Sequence, residues 1–536
     1  MNVIIYNALI SKGIGDSPSP GWLVFSDDTI TDIGNGQNPD ITSFDKAVNA
    51  EGNVVCPGFI DTHSHSDVEA LLHSAILPKL HQGITTEILG QDGISVSPLP
   101  KESVSMWRKN IGGLDGDSDD LSWDYPFTSD YLEALKSNLP CSNFAYLAPH
   151  GNIRNTVMGF GNRLPSSSEL KAMENLLDKE LSSGAIGFSS GLVYTPCTYS
   201  DTYEVTRLCH IAKAHNGMFV VHQRNEGANI LESMNELYKI CKATKIDLHI
   251  SHFKVLNAKM EPYIQDVLDT VEKIRDLGVS VTADQYPYTS GSTMLGSMIP
   301  SWVHEGGTDM MLARLKDEEC RKRIREELHN PANNWNNGKK ATGGARFLIT
   351  SLITEKNQKY IGKTIAEIAQ IEGKDDIDAC MDLLYEESNH VGAVCFYDTD
   401  DAMYEIFKQP YVNICTDGLL QGKPHPRVYG AFPRVLGNFC REKKLLSLGE
   451  CIRKMTSQAA LAMHIKDRGI LAKGMKADIV IFNPDTVTDV GDYINPCQYA
   501  RGIEKVIVNG KIVLENNEVN SLASSGRILL PETKYL

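Results

Sequence analysis

Short apolar runs alternate with amphipathic stretches along the middle of the chain. The runs that predict buried strands are Gly58–His65, Thr86–Gly90, Phe144–His150, Gly187–Gly191, Phe219–Arg224, Leu248–Lys254, Val279–Tyr286 and Val412–Gly418. Apolar residues at helical spacing follow most of them, for example over Ser167–Ser182, Tyr203–His215 and Ala228–Cys241. Eight strand–helix units in succession predict an α/β protein with a closed, parallel (β/α)8 TIM barrel.

The two ends of the chain have a different pattern, in which short β-rich runs are broken by glycine, asparagine and aspartate. Examples are Trp22–Phe25, Thr29–Gly34 and Ala477–Phe482. Asn509-Gly510 lies between two apolar runs, as in a tight hairpin. We therefore predict a small β-sandwich formed by residues 1–55 and 470–536, with the barrel occupying 56–469.

The connection between the seventh and eighth predicted strands is unusually long. About 125 residues separate Tyr286 from Val412, far more than a usual βα connection contains. We interpret the region of about 289–410 as a subdomain inserted at the mouth of the barrel. Its glycine- and asparagine-rich stretch near 330–344 is interpreted as a mobile loop.

Composition and charge narrow the possible partners. The chain of 536 residues is 42% hydrophobic and 22% charged, which is ordinary for a soluble globular protein. Its formal net charge of −16 argues against nucleic acid, since phosphate binding needs a basic face. No apolar run approaches the ~20 residues of a membrane span, and the N-terminus does not resemble a signal peptide. The 12 scattered cysteines contain no C-x-x-C pair, so we expect free thiols and a cytoplasmic protein.

The most specific local motif is the segment Pro57-Gly58-Phe59-Ile60-Asp61-Thr62-His63-Ser64-His65. Two histidines separated by one residue on a strand point to the same side. In a barrel, the carboxyl end of a strand faces the mouth, where active sites form. Two neutral imidazoles there make half of a divalent metal site. The alternative of two incidental histidines is disfavoured by the apolar strand and Pro-Gly pair before them.

Three further candidates end predicted strands, namely His222, His252 and Asp417. Strand alternation puts His249 and His252 on opposite faces, and we select His252 because it is nearer the carboxyl end. We expect His249 to pack among the outer helices. An acid buried beside metal ions can accept a proton from water and return it to a leaving group. That role suits Asp417, although a lone Thr-Asp-Gly is also a common turn.

This order of residues on the predicted strands resembles the amidohydrolase superfamily. Longer motifs are similar to the N-acyl-D-amino-acid deacylases, or D-aminoacylases, and these are Gly83–Ser95, Gly184–Tyr194, Ile250–Lys254, Asp284–Thr293 and His425–Gly437. The resemblance spans nearly the whole chain. It implies a barrel with a terminal β-sandwich and an insertion between strands seven and eight. It also implies hydrolysis of N-acyl-D-amino acids to a carboxylic acid and a free D-amino acid.

The same resemblance implies a set of site residues. One divalent ion would be held by His63, His65 and Asp417, and a second by Asp92, His222 and His252, with zinc as the expected metal. Asp417 would transfer the proton, and Tyr194 would help to hold the oxyanion. The carboxylate of a small-molecule substrate would be bound by Lys254, Tyr286, Ser292 and Arg427. The alternatives are a surface ion pair for Arg427, solvation for Lys254 and core packing for Tyr286.

One position departs from the family pattern. The best-known members have a metal-ligating cysteine in Gly-Asn-Cys-Gly, whereas this chain has Gly90-Gln91-Asp92-Gly93. A carboxylate can replace a thiolate as a ligand and can reach two ions at once. Asp92 could instead cap the turn, as aspartates beside glycine often do.

Two other functions are compatible with the barrel. One is hydrolysis of cyclic amides, as in hydantoinases and dihydroorotases, but those enzymes usually need a bridging lysine that Gly187–Gly191 lacks. The other is a non-catalytic assembly protein, which we would expect to have lost its metal ligands.

Overall fold

The computed structural model describes residues 1–256, 258–330, 344–397 and 400–531, and its centre is a parallel barrel. The barrel strands, numbered 1 to 8 in chain order, are Phe59–Asp61, Ile84–Leu89, Asn143–Pro149, Gly187–Gly191, Met218–His222, Leu248–Ile250, Val281–Gln285 and Val412–Ile414. Each strand pairs with the next, and a parallel bridge between Ser64 and Gly418 joins the two ends of the sheet. The predicted (β/α)8 barrel is thus confirmed.

Several strands are shorter than predicted at their carboxyl ends. Strand 1 ends at Asp61 and strand 6 at Ile250, so His63, His65 and His252 all lie on loops. The backbone φ of His252 is 35°, in the left-handed region that a regular strand does not enter. Strand alternation therefore does not govern the directions of these side chains.

Helices follow most of the strands and cover the barrel. The helix Ser167–Ser182 illustrates why. Its buried apolar residues recur at helical spacing, and they are Leu170, Met173, Leu177 and Leu181. Ser166 and Glu169 cap its N-terminus. The α-helices are Glu69–Leu72, Leu77–Leu80, Val104–Ile111, Thr128–Ser137, His150–Met158, Ser167–Ser182, Thr202–Ala214, Ile230–Thr244, Ile264–Arg275, Thr308–Lys316, Glu318–His329, Ile365–Glu372, Asp376–Glu386, Asp400–Lys408, Arg427–Arg434, Leu448–Met455 and Ser457–Ala462, with a π-helix at Val435–Glu442. Among the described residues, none of the helices has the length and apolarity to cross a bilayer.

Both ends of the chain contribute to one nine-stranded sheet. Its strands are Asn2–Ile10, Ser19–Ser26, Thr29–Asn35, Lys46–Asn49, Val54–Pro57, Ile479–Phe482, Ile503–Val508, Lys511–Glu515 and Glu518–Val519. Antiparallel pairing of Val54–Pro57 with Ile479–Phe482 joins the N-terminal part to the C-terminal part. The hairpin at Asn509-Gly510 forms where the sequence predicts it.

The segment between strands 7 and 8 forms a separate layer. Its three antiparallel strands are Ser290–Met294, Phe347–Ser351 and Gly392–Phe396. Most of the stretch near 330–344, interpreted above as a mobile loop, lies outside the described residues. The strand Ser290–Met294 follows barrel strand 7 directly and brings side chains of the insertion to the barrel mouth.

A buried polar cluster joins the terminal sheet to the base of the barrel, and Asp478 is at its centre. The carboxylate of Asp478 pairs with Arg468 and accepts hydrogen bonds from the side chain of Asn143 at 2.9 Å and the backbone of Asn509 at 2.7 Å. The side chains of Asp478 and Arg468 are each 2% exposed. Since Asn143 begins barrel strand 3, the cluster connects the two layers directly.

We expect Asp478→Asn to destabilise the protein strongly. The substitution leaves the buried Arg468 with Asp467, which is 41% exposed, as its remaining ion-pair partner. Breaking a buried ion pair typically costs about 3–5 kcal/mol. Denaturant unfolding followed by circular dichroism measures the loss. Glu133→Gln, in the exposed pair with Lys136, is the matched control and should leave the melting temperature unchanged. Equal stability of both variants would contradict the structural role of Asp478.

Candidate active site

Four imidazoles converge on one carboxylate oxygen at the mouth of the barrel. Oδ2 of Asp92 lies 3.7 Å from Nε2 of both His63 and His65. It also lies 3.6 Å from Nδ1 of His222 and 3.7 Å from Nε2 of His252. All five side chains are buried. Oδ1 of Asp92 and Nδ1 of His222 have no hydrogen-bond partner in the described part of the chain, so these polar atoms require another ligand.

Asp417 completes a second group of ligand atoms with His63 and His65, the two histidines that follow strand 1. Its Oδ1 lies 3.6 Å from Nε2 of His63 and 3.5 Å from Nε2 of His65, and those two nitrogens are 3.2 Å apart. Ligands about 2.0–2.1 Å from a tetrahedral ion are separated from each other by roughly 3.3–3.4 Å. The residues present therefore fit a site for divalent ions.

The turn that carries Asp92 has an unusual backbone. Asp92 has a φ of 55°, and Gly90 and Gly93 flank it with φ values of 74° and 69°. A Cβ at Gly90 would lie 2.3 Å from the carbonyl oxygen of Leu147, so only glycine fits there. The hydroxyl of Ser189 on strand 4 donates to the carbonyl of Gly90 and accepts from the N–H of Gly93 at 3.1 Å. These contacts direct the Asp92 side chain towards the histidines.

Two acidic residues that the sequence analysis missed orient the histidine rings from behind. Oδ1 of Asp115 lies 2.9 Å from Nδ1 of His65, which leaves Nε2 of that ring facing the site. Oε1 of Glu226 lies 3.1 Å from Nδ1 of His252 and accepts from Nζ of Lys254 at 2.9 Å. Glu226 lies only four residues after His222, a spacing from which its position near the site could have been predicted. Asp115 is fifty residues from its histidine, and no local pattern predicts that contact.

The pKa values of these acids reflect both burial and the neighbouring cations. Burial raises the pKa of Glu226, but the charges of Lys254, His222 and His252 outweigh it and lower the pKa to about 2. Burial likewise opposes ionisation of Asp417, yet Arg427 and His63 keep its pKa well below the usual range. Both side chains are therefore carboxylates at neutral pH.

The prediction that His249 packs among the outer helices is wrong. Its Nδ1 lies 2.8 Å from Oγ1 of Thr282, and its Nε2 lies 2.9 Å from Oδ2 of Asp284. The same Asp284 accepts hydrogen bonds from Thr62 and from the backbone of His252, so His249 belongs to the network beneath the site. The prediction extended strand alternation from His249 to His252, but the strand ends between them at Ile250.

The ligand cluster consists of His63, His65, Asp92, His222, His252 and Asp417. The two cations predicted to bind a carboxylate lie together on one side of it. Nη1 of Arg427 is 2.9 Å from Oδ2 of Asp417, and its guanidinium carbon is 4.4 Å from the centre of the Tyr286 ring. Nζ of Lys254 is 5.6 Å from the centre of the same ring. Arg427 is fully buried, which excludes a surface ion pair, and Lys254 is held by Glu226 rather than solvated.

Ser292, Tyr286 and Tyr194 are the other residues predicted from the sequence to contact the substrate. The backbone carbonyl of Ser292 accepts from Arg427 at 3.1 Å, while its hydroxyl donates to the carbonyl of Ala393 at 3.2 Å. The hydroxyl of Tyr286 lies 2.6 Å from that of Tyr397, a residue the sequence analysis did not select. Tyr194 has its ring centre 5.2 Å from that of His222 and its hydroxyl 2.8 Å from Oγ1 of Thr293. A cleft of about 80 Å³ lies between these side chains and the ligand cluster.

Comparison with known sequences gives matches over most of the chain. Residues 46–514 match the model of the family described as "Amidohydrolase family". The chain is 30% identical to a D-aminoacylase of Alcaligenes xylosoxydans xylosoxydans, over 90% of this chain and 88% of that protein. It is 31% identical to an N-acyl-D-glutamate deacylase of the same organism, over 87% and 84% of the two chains.

Solved structures with a similar fold include two enzymes related in sequence. An N-acyl-D-glutamate deacylase from Bordetella bronchiseptica, complexed with zinc and a phosphonate mimic of the tetrahedral intermediate, superposes with a TM-score of 0.83 at 28% identity, over 99% of both chains. A D-aminoacylase superposes with a TM-score of 0.82 at 29% identity, also over 99% of both chains. A D-hydantoinase from Thermus sp. reaches a TM-score of 0.52 at 14% identity over 100% of both chains, which is a likeness of fold alone.

We expect Asp92→Ala to lose bound metal, because the substitution removes the oxygen on which four imidazoles converge. Asp92→Cys should recover metal at least in part, since a thiolate is also a metal ligand. Elemental analysis of the purified variants measures both. Circular dichroism is the control for folding, and a wild-type metal content in Asp92→Ala would show that Asp92 is not a ligand.

Proposed function

This chain belongs to the amidohydrolase family, and from that premise we propose that it hydrolyses the amide bond of N-acyl-D-amino acids. The products are a carboxylic acid and a free D-amino acid. The proposal rests on one observation above all, which is that two cations, the buried Arg427 and the partly buried Lys254, lie beside a cluster of candidate metal ligands. Such a site can hold an α-carboxylate while the neighbouring amide is attacked. The named relatives are deacylases of N-acyl-D-amino acids, which supports this substrate class.

The proposed cofactor is zinc, one or two ions per chain. His63, His65 and Asp417 would hold one ion, and Asp92, His222 and His252 the other. A bound divalent ion polarises the acyl carbonyl and makes water a better nucleophile. A site rich in imidazole suits zinc, and the Bordetella bronchiseptica relative was solved with zinc.

Asp417 is the proposed general base and general acid. Its carboxylate is ionised, and it borders the cleft between Arg427 and the two histidines that follow strand 1. It can therefore accept a proton from the attacking water and then give that proton to the departing nitrogen. Tyr194 can donate to the developing oxyanion, because burial and the charge of Asp92 raise its pKa far above neutral pH and keep it protonated.

Arg427 and Lys254 are the proposed ligands of the substrate carboxylate. Nε of Arg427 has no hydrogen-bond partner among the described residues, and Nη1 approaches Asp417 without hydrogen-bond alignment. The guanidinium therefore has donors to offer to a second carboxylate. The hydantoin ring has no free α-carboxylate and would leave these donors unused, which favours a linear substrate over the hydantoinase alternative.

We expect N-acyl-D-amino acids to be hydrolysed much faster than their L enantiomers. With the α-carboxylate held at Arg427 and Lys254 and the amide at the metal ligands, only the positions of the hydrogen and the side chain can be exchanged. One enantiomer then directs its side chain into the wall of the cleft. A panel of N-acetyl-D- and N-acetyl-L-amino acids measures kcat/KM for each pair, and equal values for both enantiomers would refute the assignment.

We expect Arg427→Met to reduce kcat/KM by roughly 30- to 4,000-fold, which corresponds to the about 2–5 kcal/mol lost when one partner of a buried charged pair is removed. Metal content should stay at the wild-type value. Arg434→Met is the matched control on the same helix, because Arg434 pairs with Asp489 and does not line the cleft. Its kcat/KM should be within twofold of wild type. If the two variants behave alike, Arg427 does not bind the substrate carboxylate.

A further inference from the structure

We infer that a second cavity beside the cleft binds the acyl part of the substrate, and that this part is a neutral chain longer than acetyl that carries hydrogen-bonding groups. We name it the acyl cavity, and its walls include Val193, Thr198, Arg224, Asn229, Ile299 and Ser301. Its volume is about 450 Å³, against about 80 Å³ for the cleft. Sites for small molecules are commonly about 300–1,000 Å³. The inference rests on the proposed function, whose substrates contain an acyl group.

The acyl cavity adjoins the ligand cluster directly. Val193, Tyr194 and Ser297 line both the acyl cavity and the cleft, so the two spaces share a wall. Tyr194 stands in that wall with its ring edge-on to His222 and its hydroxyl on Thr293 of the insertion. An acyl chain leaving the reacting carbonyl beside Tyr194 therefore has the acyl cavity next to it.

The order of the barrel strands indicates where the carboxylate end and the acyl end of the substrate would lie. Lys254 follows strand 6 and Arg427 follows strand 8, so the carboxylate end lies on that side of the barrel. The acyl cavity is lined by Thr198, after strand 4, and by Arg224 and Asn229, after strand 5. The two substituents of an amide carbonyl point away from each other. With the amino acid on the side of strands 6 to 8, the acyl chain is directed to strands 4 and 5.

One part of the wall of the acyl cavity is apolar, and another part is polar. Val193, Met294 and Ile299 are apolar, whereas Arg224 contributes an ion pair with Glu236 in which Nε lies 3.0 Å from Oε2. Arg224 also donates to the carbonyl of Thr198 at 3.2 Å, so its position is fixed without a ligand. The wall thus presents preformed polar groups whose charges are already balanced.

These walls favour a chain of amide groups over a plain hydrocarbon chain. A hydrocarbon would displace water from Asn229, Ser301 and the Arg224–Glu236 pair without replacing its hydrogen bonds, which loses affinity. The exposed Glu232 at the rim repels a chain that ends in a second carboxylate. The chemical class that fits is a short peptide whose last residue is a D-amino acid. Hydrolysis would break its final C–N bond, placing the hydroxyl of water on the acyl carbon and the proton on the released amine.

The experiment compares three acyl groups on one D-amino acid, chosen as the one whose N-acetyl derivative is hydrolysed fastest. The groups are acetyl, octanoyl and N-acetylglycylglycyl, of which the last two have chains of equal length. We expect kcat/KM for the N-acetylglycylglycyl substrate to exceed both others by tenfold or more. A value at or below that of the acetyl substrate, with the acetyl substrate turned over, overturns the inference and leaves the proposed function standing.

Variants that fill the acyl cavity test its location. In Ser301→Phe and, independently, Asn229→Phe, the ratio of kcat/KM for the N-acetylglycylglycyl substrate to that for the acetyl substrate should fall towards 1. Ser301→Ala, which removes the hydroxyl but keeps the space, should retain most of the ratio. An unchanged ratio in both phenylalanine variants, each shown to be folded by circular dichroism, overturns the inference.

A binding measurement separates the cavity from catalysis. Calorimetry of the wild-type protein with N-acetylglycylglycine, octanoate and acetate should give a Kd at least tenfold lower for N-acetylglycylglycine, and Ser301→Phe should abolish the difference. If this preference is found but no N-acyl-D-amino acid is hydrolysed, the cavity stands and the proposed function fails. Equal Kd values for the three acids overturn the inference whatever the turnover.

Discussion

The placement of one buried carboxylate among four imidazoles is the constraint on which the rest of the site depends. Asp92 can approach His63, His65, His222 and His252 only because its turn adopts a left-handed backbone between two glycines. A buried carboxylate and several buried ring nitrogens are costly unless each is paired or bound to a cation. Divalent ions at this position would satisfy the carboxylate and the imidazoles together.

The same requirement of charge balance governs the substrate side of the cleft. Arg427 is matched by Asp417, and Lys254 is matched by Glu226. Each acid also approaches a histidine of the ligand cluster, so the cations and the proposed metal ligands are not independent. A substrate carboxylate entering beside Arg427 and Lys254 would alter the field at Asp417, the residue proposed to transfer the proton. In the proposed mechanism, binding and proton transfer would thereby be coupled through two ion pairs.

The insertion between strands 7 and 8 connects the features above the barrel. Its strand Ser290–Met294 provides the carbonyl of Ser292 that binds Arg427 and the hydroxyl of Thr293 that binds Tyr194. The carboxylate end of the cleft and the wall of the acyl cavity are thus attached to the same short strand. The barrel supplies the proposed metal ligands, whereas this added layer shapes the cleft beside them.

The sequence by itself determined the barrel, the terminal β structure and most of the residues that meet at the mouth. It did so because strand periodicity, Pro-Gly and Asn-Gly pairs and the motifs shared with D-aminoacylases are all local, and the ligand set built on them stays a prediction. Only the tertiary structure decided the direction of His249, the support of His65 by Asp115, and the acyl cavity. The physical reason is that strand 1 ends before His63 and His65, and strand 6 ends between His249 and His252, so strand alternation does not relate these side chains. The contacts that orient those side chains join residues far apart in the chain, and no local pattern encodes them.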